Sequence, residues 1–101
     1  MAYLDHAATT PLRPEALAAM LPYLTEHFGN PSGAHSVSRR AKQALEEARE
    51  EVATALGCRP GEVVFTGGGT EADNLALAGV VGRHGGRAVC SAVEHLSLIH
   101  I

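Results

Sequence analysis

The chain has 101 residues, of which 46% are hydrophobic and 19% charged, with a formal net charge of −3. That length fits one ordinary domain rather than two, and a compact fold of this size buries roughly two-thirds of its unfolded surface. The mild acidity without a basic stripe argues against a nucleic-acid surface, and no segment approaches the ~20 apolar residues of a membrane span.

No charged-then-apolar leader opens the chain, and no repeat or low-complexity tract interrupts it. Trp is absent and aromatics are only 4%, so the expected core is built from Ala, Leu and Val. Cys58 and Cys90 lie far apart without CxxC spacing, which fits a reducing cytosol better than a disulfide scaffold. Among the eight basic residues, Lys42 is the only lysine.

Met1 to Pro11 has no helical period and reads as an extended arm. A first helix is expected from Pro14, where a missing N–H costs nothing. Leu17, Met20, Leu21, Leu24 and Phe28 form its apolar stripe, and Pro22 inside it predicts a kink. Residues 29–33, Gly-Asn-Pro-Ser-Gly, read as a loop. The clearest element is a second helix on Val37, Ala41, Ala44, Leu45, Ala48, Val52, Ala55 and Leu56. Ser36 or Ser38 is expected to cap its start, and Gly57 followed by Pro60 to close it. Its other face carries Arg39, Arg40, Lys42, Glu46, Glu47, Arg49, Glu50 and Glu51, a solvated charged face.

Residues 62–66 read as a buried strand, and 87–92 as a second, joined to the first by a right-handed crossover. Between them Thr70-Glu71-Ala72-Asp73 resembles a capping box opening a third helix that runs to about Val81. That helix is apolar nearly all round, as expected of one buried in a larger protein. The order helix, helix, strand, helix, strand points to an α/β fold.

The strongest local feature is the junction from Phe65 to Asn74. Its glycines let a ligand approach the backbone, and the helix start offers unpaired N–H groups and partial positive charge to an anion such as phosphate. The GK[ST] ending of a P-loop and the third glycine of a dinucleotide fingerprint are both missing. A tight strand-to-helix turn without ligand fits the same spacing. The Asn30–His35 loop reads first as a turn closed by a local side-chain hydrogen bond. The six histidines show neither HExxH spacing nor CxxC partners, so no metal site is expected. Cys58 follows a helix C-terminus and Cys90 sits mid-strand, so neither reads as a nucleophile. Glu94-His95 falls just past a strand end, the edge where open α/β sheets gather ligands. A structural role fits a lone histidine there equally well.

Four stretches in register resemble the cysteine desulfurases, class V aminotransferase-like pyridoxal-phosphate enzymes of fold type I. They are Tyr3–Pro11 (YLDHAATTP), Phe28–Ser32 with His35, Val64–Asn74 (VFTGGGTEADN), and Glu94-His95. The resemblance implies that this is an N-terminal fragment of such an enzyme: a helical segment, then the first strand–helix–strand of the large-domain sheet. It sets 1–35 as arm, helix and loop, and 36–95 as the start of the pyridoxal-phosphate-binding domain. Gly69 and Thr70 would hold the cofactor phosphate. His95 would stack on the pyridine ring and serve in proton transfer, as cofactor-binding and catalytic residue. The Ala7–Thr10 arm and the Asn30–His35 loop would lie near the active-site mouth.

The whole enzyme would convert L-cysteine to L-alanine and an enzyme persulfide for iron–sulfur cluster and thio-cofactor synthesis. It would be a cytoplasmic homodimer serving sulfur-acceptor and scaffold proteins. A selenocysteine lyase, another class V enzyme, or a non-catalytic phosphate-binding module are the alternatives. The family's Schiff-base lysine and persulfide cysteine lie beyond residue 101, and Lys42, Cys58 and Cys90 match neither, so this fragment alone is expected to be inactive. The strands at 62–66 and 87–92 are not neighbours in this fold type, so the isolated chain is expected to fold poorly. Residues 96–101 break the family pattern abruptly and are expected to be a non-native tail, which genomic DNA amplified across the locus tests.

Overall fold

Proline opens α1 (Pro14–Thr25), where its missing N–H falls among those that no helix start can pair. In this computed structural model, which describes residues 1–99, Pro22 lies inside α1 and removes one rung of its ladder. The Pro22 carbonyl then accepts from the N–H groups of Glu26 and His27 at 2.9 and 2.8 Å, which closes the helix.

The second helix, α2 (Ser36–Leu56), is capped differently from expectation. His35, not Ser36 or Ser38, is the N-cap, and its Nδ1 accepts from Ser38 N–H at 3.4 Å. Ser38 Oγ lies 3.1 Å from Nε2 of the same ring and is fully buried. At the other end Gly57 takes the left-handed conformation, φ +69°. Cys58 N–H reaches Ala53 O at 3.0 Å and Gly57 N–H reaches Thr54 O at 3.3 Å, the paired closure of a Schellman motif. The chain then turns through a 3-10 segment, Pro60–Glu62, and Arg49 of α2 holds it by donating from Nη1 to Val63 O.

The chain divides into two compact units, Met1–Val63 and Val64–Ile101. In the second, α3 (Gly69–His84) is capped two residues earlier, at Gly68 rather than Thr70, and ends three later than the sequence pattern predicts. A single further turn, α4 (Leu96–Ile99), follows. The two segments expected as strands, 62–66 and 87–92, form no ladder among the described residues. Val63 keeps an extended conformation, φ −93° and ψ 124°, but a strand exists only through the partner that takes its N–H and C=O groups. Cys90, expected to be packed mid-strand, is therefore exposed.

The apolar faces meet the same shortage. Ala53 is the one buried hydrophobic residue among those described, and α3 buries none of its side chains. Leu17, Leu24, Phe28, Leu75 and Val80 all lie exposed. None of the described helices is long and apolar enough to cross a membrane.

Candidate anion-binding site

The glycine run leads directly into α3. Gly68 is the N-cap, with φ 170° and ψ 176°, an extended conformation open to any residue. A Cβ built on Gly68 or on Gly69 meets nothing within 4 Å. Neither backbone geometry nor packing within the chain therefore requires glycine at these two positions. The open space above them is what a closely approaching ligand would fill. The first intrahelical bond is Ala72 N–H to Gly68 O at 3.1 Å, so the N–H groups before it have no helical acceptor. Those donors sit at the positive end of a 16-residue helix, an arrangement suited to an anion.

Thr70 lies in the first turn rather than at the cap. Its carbonyl accepts from Asn74 Nδ2 at 2.8 Å, and its hydroxyl has no partner among the described residues. The capping-box expectation shifts by two positions: Glu71, not Asp73, reaches back, and its Oε2 accepts from Gly67 N–H at 2.8 Å.

Asp73 does something the sequence reading missed. Its Oδ2 accepts from Ser97 Oγ at 2.6 Å, across 24 positions of sequence. His95 joins the same cluster, with Nδ1 2.9 Å from Ser97 Oγ and 3.1 Å from Ser97 N. Asp73 and Thr70 are three residues apart and share a helix face, so His95 is tied to the first turns of the helix that carries the glycine run. The only sequence signal was a carboxylate one turn after the glycines. Its partner lies in the segment expected to be non-native, of which residues 100 and 101 lie outside the described residues.

The His95 ring can hold its proton in two ways here. Neutral, with the proton on Nε2, it accepts from Ser97 N–H at Nδ1. With a proton on Nδ1 it donates instead to Ser97 Oγ, which donates in turn to Asp73; Ser97 N–H then loses Nδ1 as its acceptor, and Nε2 can take up or release a proton. Among the described residues Nε2 has no protein partner. Beside this cluster an apolar groove of about 1050 Å³ runs between α3 and residues 88–92, lined among others by Leu77, Ala78, Val81, Val89 and Leu98.

In the first unit, the Asn30–His35 loop is closed by local bonds. Asn30 Oδ1 accepts from Ser32 N–H at 2.9 Å, and Arg39 Nη1 donates to Ala34 O at 2.9 Å. A Cβ on Gly33 would collide with Ser38 Oγ, so the loop is seated tightly on the start of α2. The arm is not fully extended: Ala8 and Thr9 N–H both turn back to Asp5 O, at 3.1 and 3.4 Å. Lys42 is exposed on the charged face of α2, as its position in the helical period predicts.

A family model described as aminotransferase class-V matches residues 2–101, and the chain belongs to that family. Among curated relatives it is similar to cysteine desulfurase IscS of Dictyoglomus turgidum, 48% identical over 100 residues, covering 96% of this chain and 25% of that protein. It is also similar to cysteine desulfurase IscS of Methanosarcina thermophila, 44% identical over 104 residues, 97% of this chain and 25% of the relative. An IscS-like cysteine desulfurase of Mycobacterium tuberculosis is 48% identical over 105 residues, 98% of this chain and 26% of its own. The chain thus spans about a quarter of the length of the curated relatives it matches.

Proposed function

We propose that this chain is the cofactor-phosphate-binding segment of a fold-type-I, pyridoxal-phosphate-dependent cysteine desulfurase. The observation that carries the reading is the open start of α3. Gly68 and Gly69 carry no packing of their own, and a donor-rich helix end faces the space above them. The helix start suits a phosphate in sign, and no atom within 4 Å of a Cβ built on either glycine obstructs its approach. Gly69 and Thr70 would hold it through backbone N–H groups, with the Thr70 hydroxyl as a further donor. The similarity to relatives named as cysteine desulfurases supplies the substrate class, L-cysteine.

When bound, pyridoxal phosphate supplies an electron sink for breaking bonds at the substrate's α-carbon and β-carbon. The residues of this chain bind the cofactor, orient it and move a proton. The cradle fixes the cofactor by its phosphate, and His95 lies against the ring and exchanges a proton at Nε2, the nitrogen its neighbours leave free. Exchange at Nε2 requires Nδ1 to keep its proton, and in this chain Ser97 Oγ is the acceptor that holds it. In the whole protein we place the activity in the cytoplasm, in a homodimer that passes persulfide sulfur to acceptor and iron–sulfur scaffold proteins. Lys42 and the two cysteines match neither a covalent cofactor anchor nor a sulfur nucleophile, so the chain by itself is without turnover.

The test compares two proteins: the 101-residue chain with added pyridoxal phosphate, and a full-length host. The host is the Dictyoglomus turgidum relative with its matching quarter replaced by residues 2–95. The expected result is alanine from L-cysteine with the host and none above free cofactor with the chain. Turnover of selenocysteine but not cysteine by the host would point to a lyase. Failure of the substituted host to bind pyridoxal phosphate would remove the reading.

A further inference from the structure

The three glycines before α3 are not equivalent. A Cβ on Gly67 would lie 3.1 Å from Glu71 Oε2, closer than ordinary contact, whereas Gly68 and Gly69 are open. Glu71 does not bond to the N–H of the cap residue, as in a common capping box, but to Gly67 N–H one residue earlier, at 2.8 Å. The bond therefore spans the whole glycine run. Thr66 Oγ1 and Ala72 N–H both donate to Gly68 O, each at 3.1 Å, so that carbonyl is fixed as well.

We propose that Glu71 is a positioning residue for the phosphate cradle. Its carboxylate clamps Gly67 and so holds the arc in which the N–H groups of Gly69 and Thr70 stay clear for the ligand. The inference rests on the cofactor reading given above. Glycine loses more conformational freedom on ordering than any other residue, so an unclamped run of three would have to be ordered by the ligand itself. The clamp moves that cost from binding to folding, which is preorganisation. The useful part of Glu71 is its acceptor oxygen. Its negative charge, one turn from a bound dianion, works against binding.

This separates two substitutions. Glu71→Gln keeps an acceptor oxygen and removes the charge, while Glu71→Ala removes both. The measurement is the Kd of the apo form of the substituted host described above for pyridoxal phosphate and for pyridoxal, which lacks the phosphate. Glu71→Ala is expected to weaken pyridoxal phosphate roughly tenfold, the scale on which a few glycines lose their freedom, and to leave pyridoxal unchanged. Glu71→Gln is expected to bind pyridoxal phosphate as well as the parent or more tightly. Three results overturn the proposal: unchanged pyridoxal phosphate affinity in Glu71→Ala, a parallel loss of both ligands, or Glu71→Gln falling with Glu71→Ala. A parent host with no preference for pyridoxal phosphate over pyridoxal would instead remove the cradle itself, and the clamp with it.

Discussion

Arg59 and Glu62 face each other across the 3-10 turn that follows α2. The Arg59 guanidinium donates to Glu62 Oε1 at 3.0 Å, and the Arg59 backbone N–H donates to Oε2 at 2.8 Å. Both bonds favour the charged carboxylate, the side-chain one more, and they hold the Glu62 carboxyl below the usual glutamate range. Because the folded-state value is the lower one, the contribution is present above the ordinary glutamate pKa and is lost as pH falls through the lowered value. Carboxyl NMR titration of the chain is expected to give a depressed Glu62 midpoint that rises in Arg59→Ala. A midpoint unmoved by that substitution contradicts the assignment. At this scale the sequence was only partly readable. Ser36 and Ser38 both satisfy the N-cap preference, yet His35 takes the cap because its ring reaches Ser38 by both nitrogens. Glycines at 57 and 33 follow local rules, one a left-handed helix end and the other a close approach, and the first was legible where the second was not.

Helices and strands differ in what they need from the rest of a protein. The second helix was legible nearly to the residue, because its hydrogen bonds close within the segment and its apolar period and terminal glycine lie together in sequence. The segments 62–66 and 87–92 have strand composition but no ladder, because a ladder depends on chain that is not beside them. The start of α3 lies between these cases. Its helix was expected, its cap was misplaced by two residues, and the reach of Glu71 to Gly67 follows from that shift. The openness at Gly68 carries a prediction for the element. Gly68→Ala is expected to leave the helical circular dichroism of the 101-residue chain nearly unchanged, since the added Cβ meets nothing within 4 Å. In the host the same substitution is expected to weaken pyridoxal phosphate by about an order of magnitude, the scale of one charge-assisted hydrogen bond. Equal affinity in both hosts would mean that the space above Gly68 does not receive the phosphate.

The whole chain has helices with apolar faces and almost nothing to cover them. Ala53 is the one buried hydrophobic residue among those described, and α3 is apolar nearly all round without burying any residue. Composition alone suggested a chain able to build its own core, since 46% of its residues are hydrophobic. The missing information was not in any residue: burial requires partners, and the chain spans about a quarter of the length of its relatives. The family was legible from four short stretches, whereas the bond from Ser97 to Asp73 that ties in His95 was not, because it joins positions 24 residues apart. What limits chemistry is also a whole-chain property, for one lysine serves all 101 positions and it is exposed on a charged helix face. The central claim is a phosphate cradle without a covalent anchor. Its most direct test is titration of the 101-residue chain with equimolar pyridoxal phosphate, followed by visible absorption and, after borohydride reduction, by peptide mass analysis. The account predicts no Schiff-base absorption band and no stoichiometric pyridoxyl label on Lys42. A stoichiometric band that disappears in Lys42→Ala would contradict it.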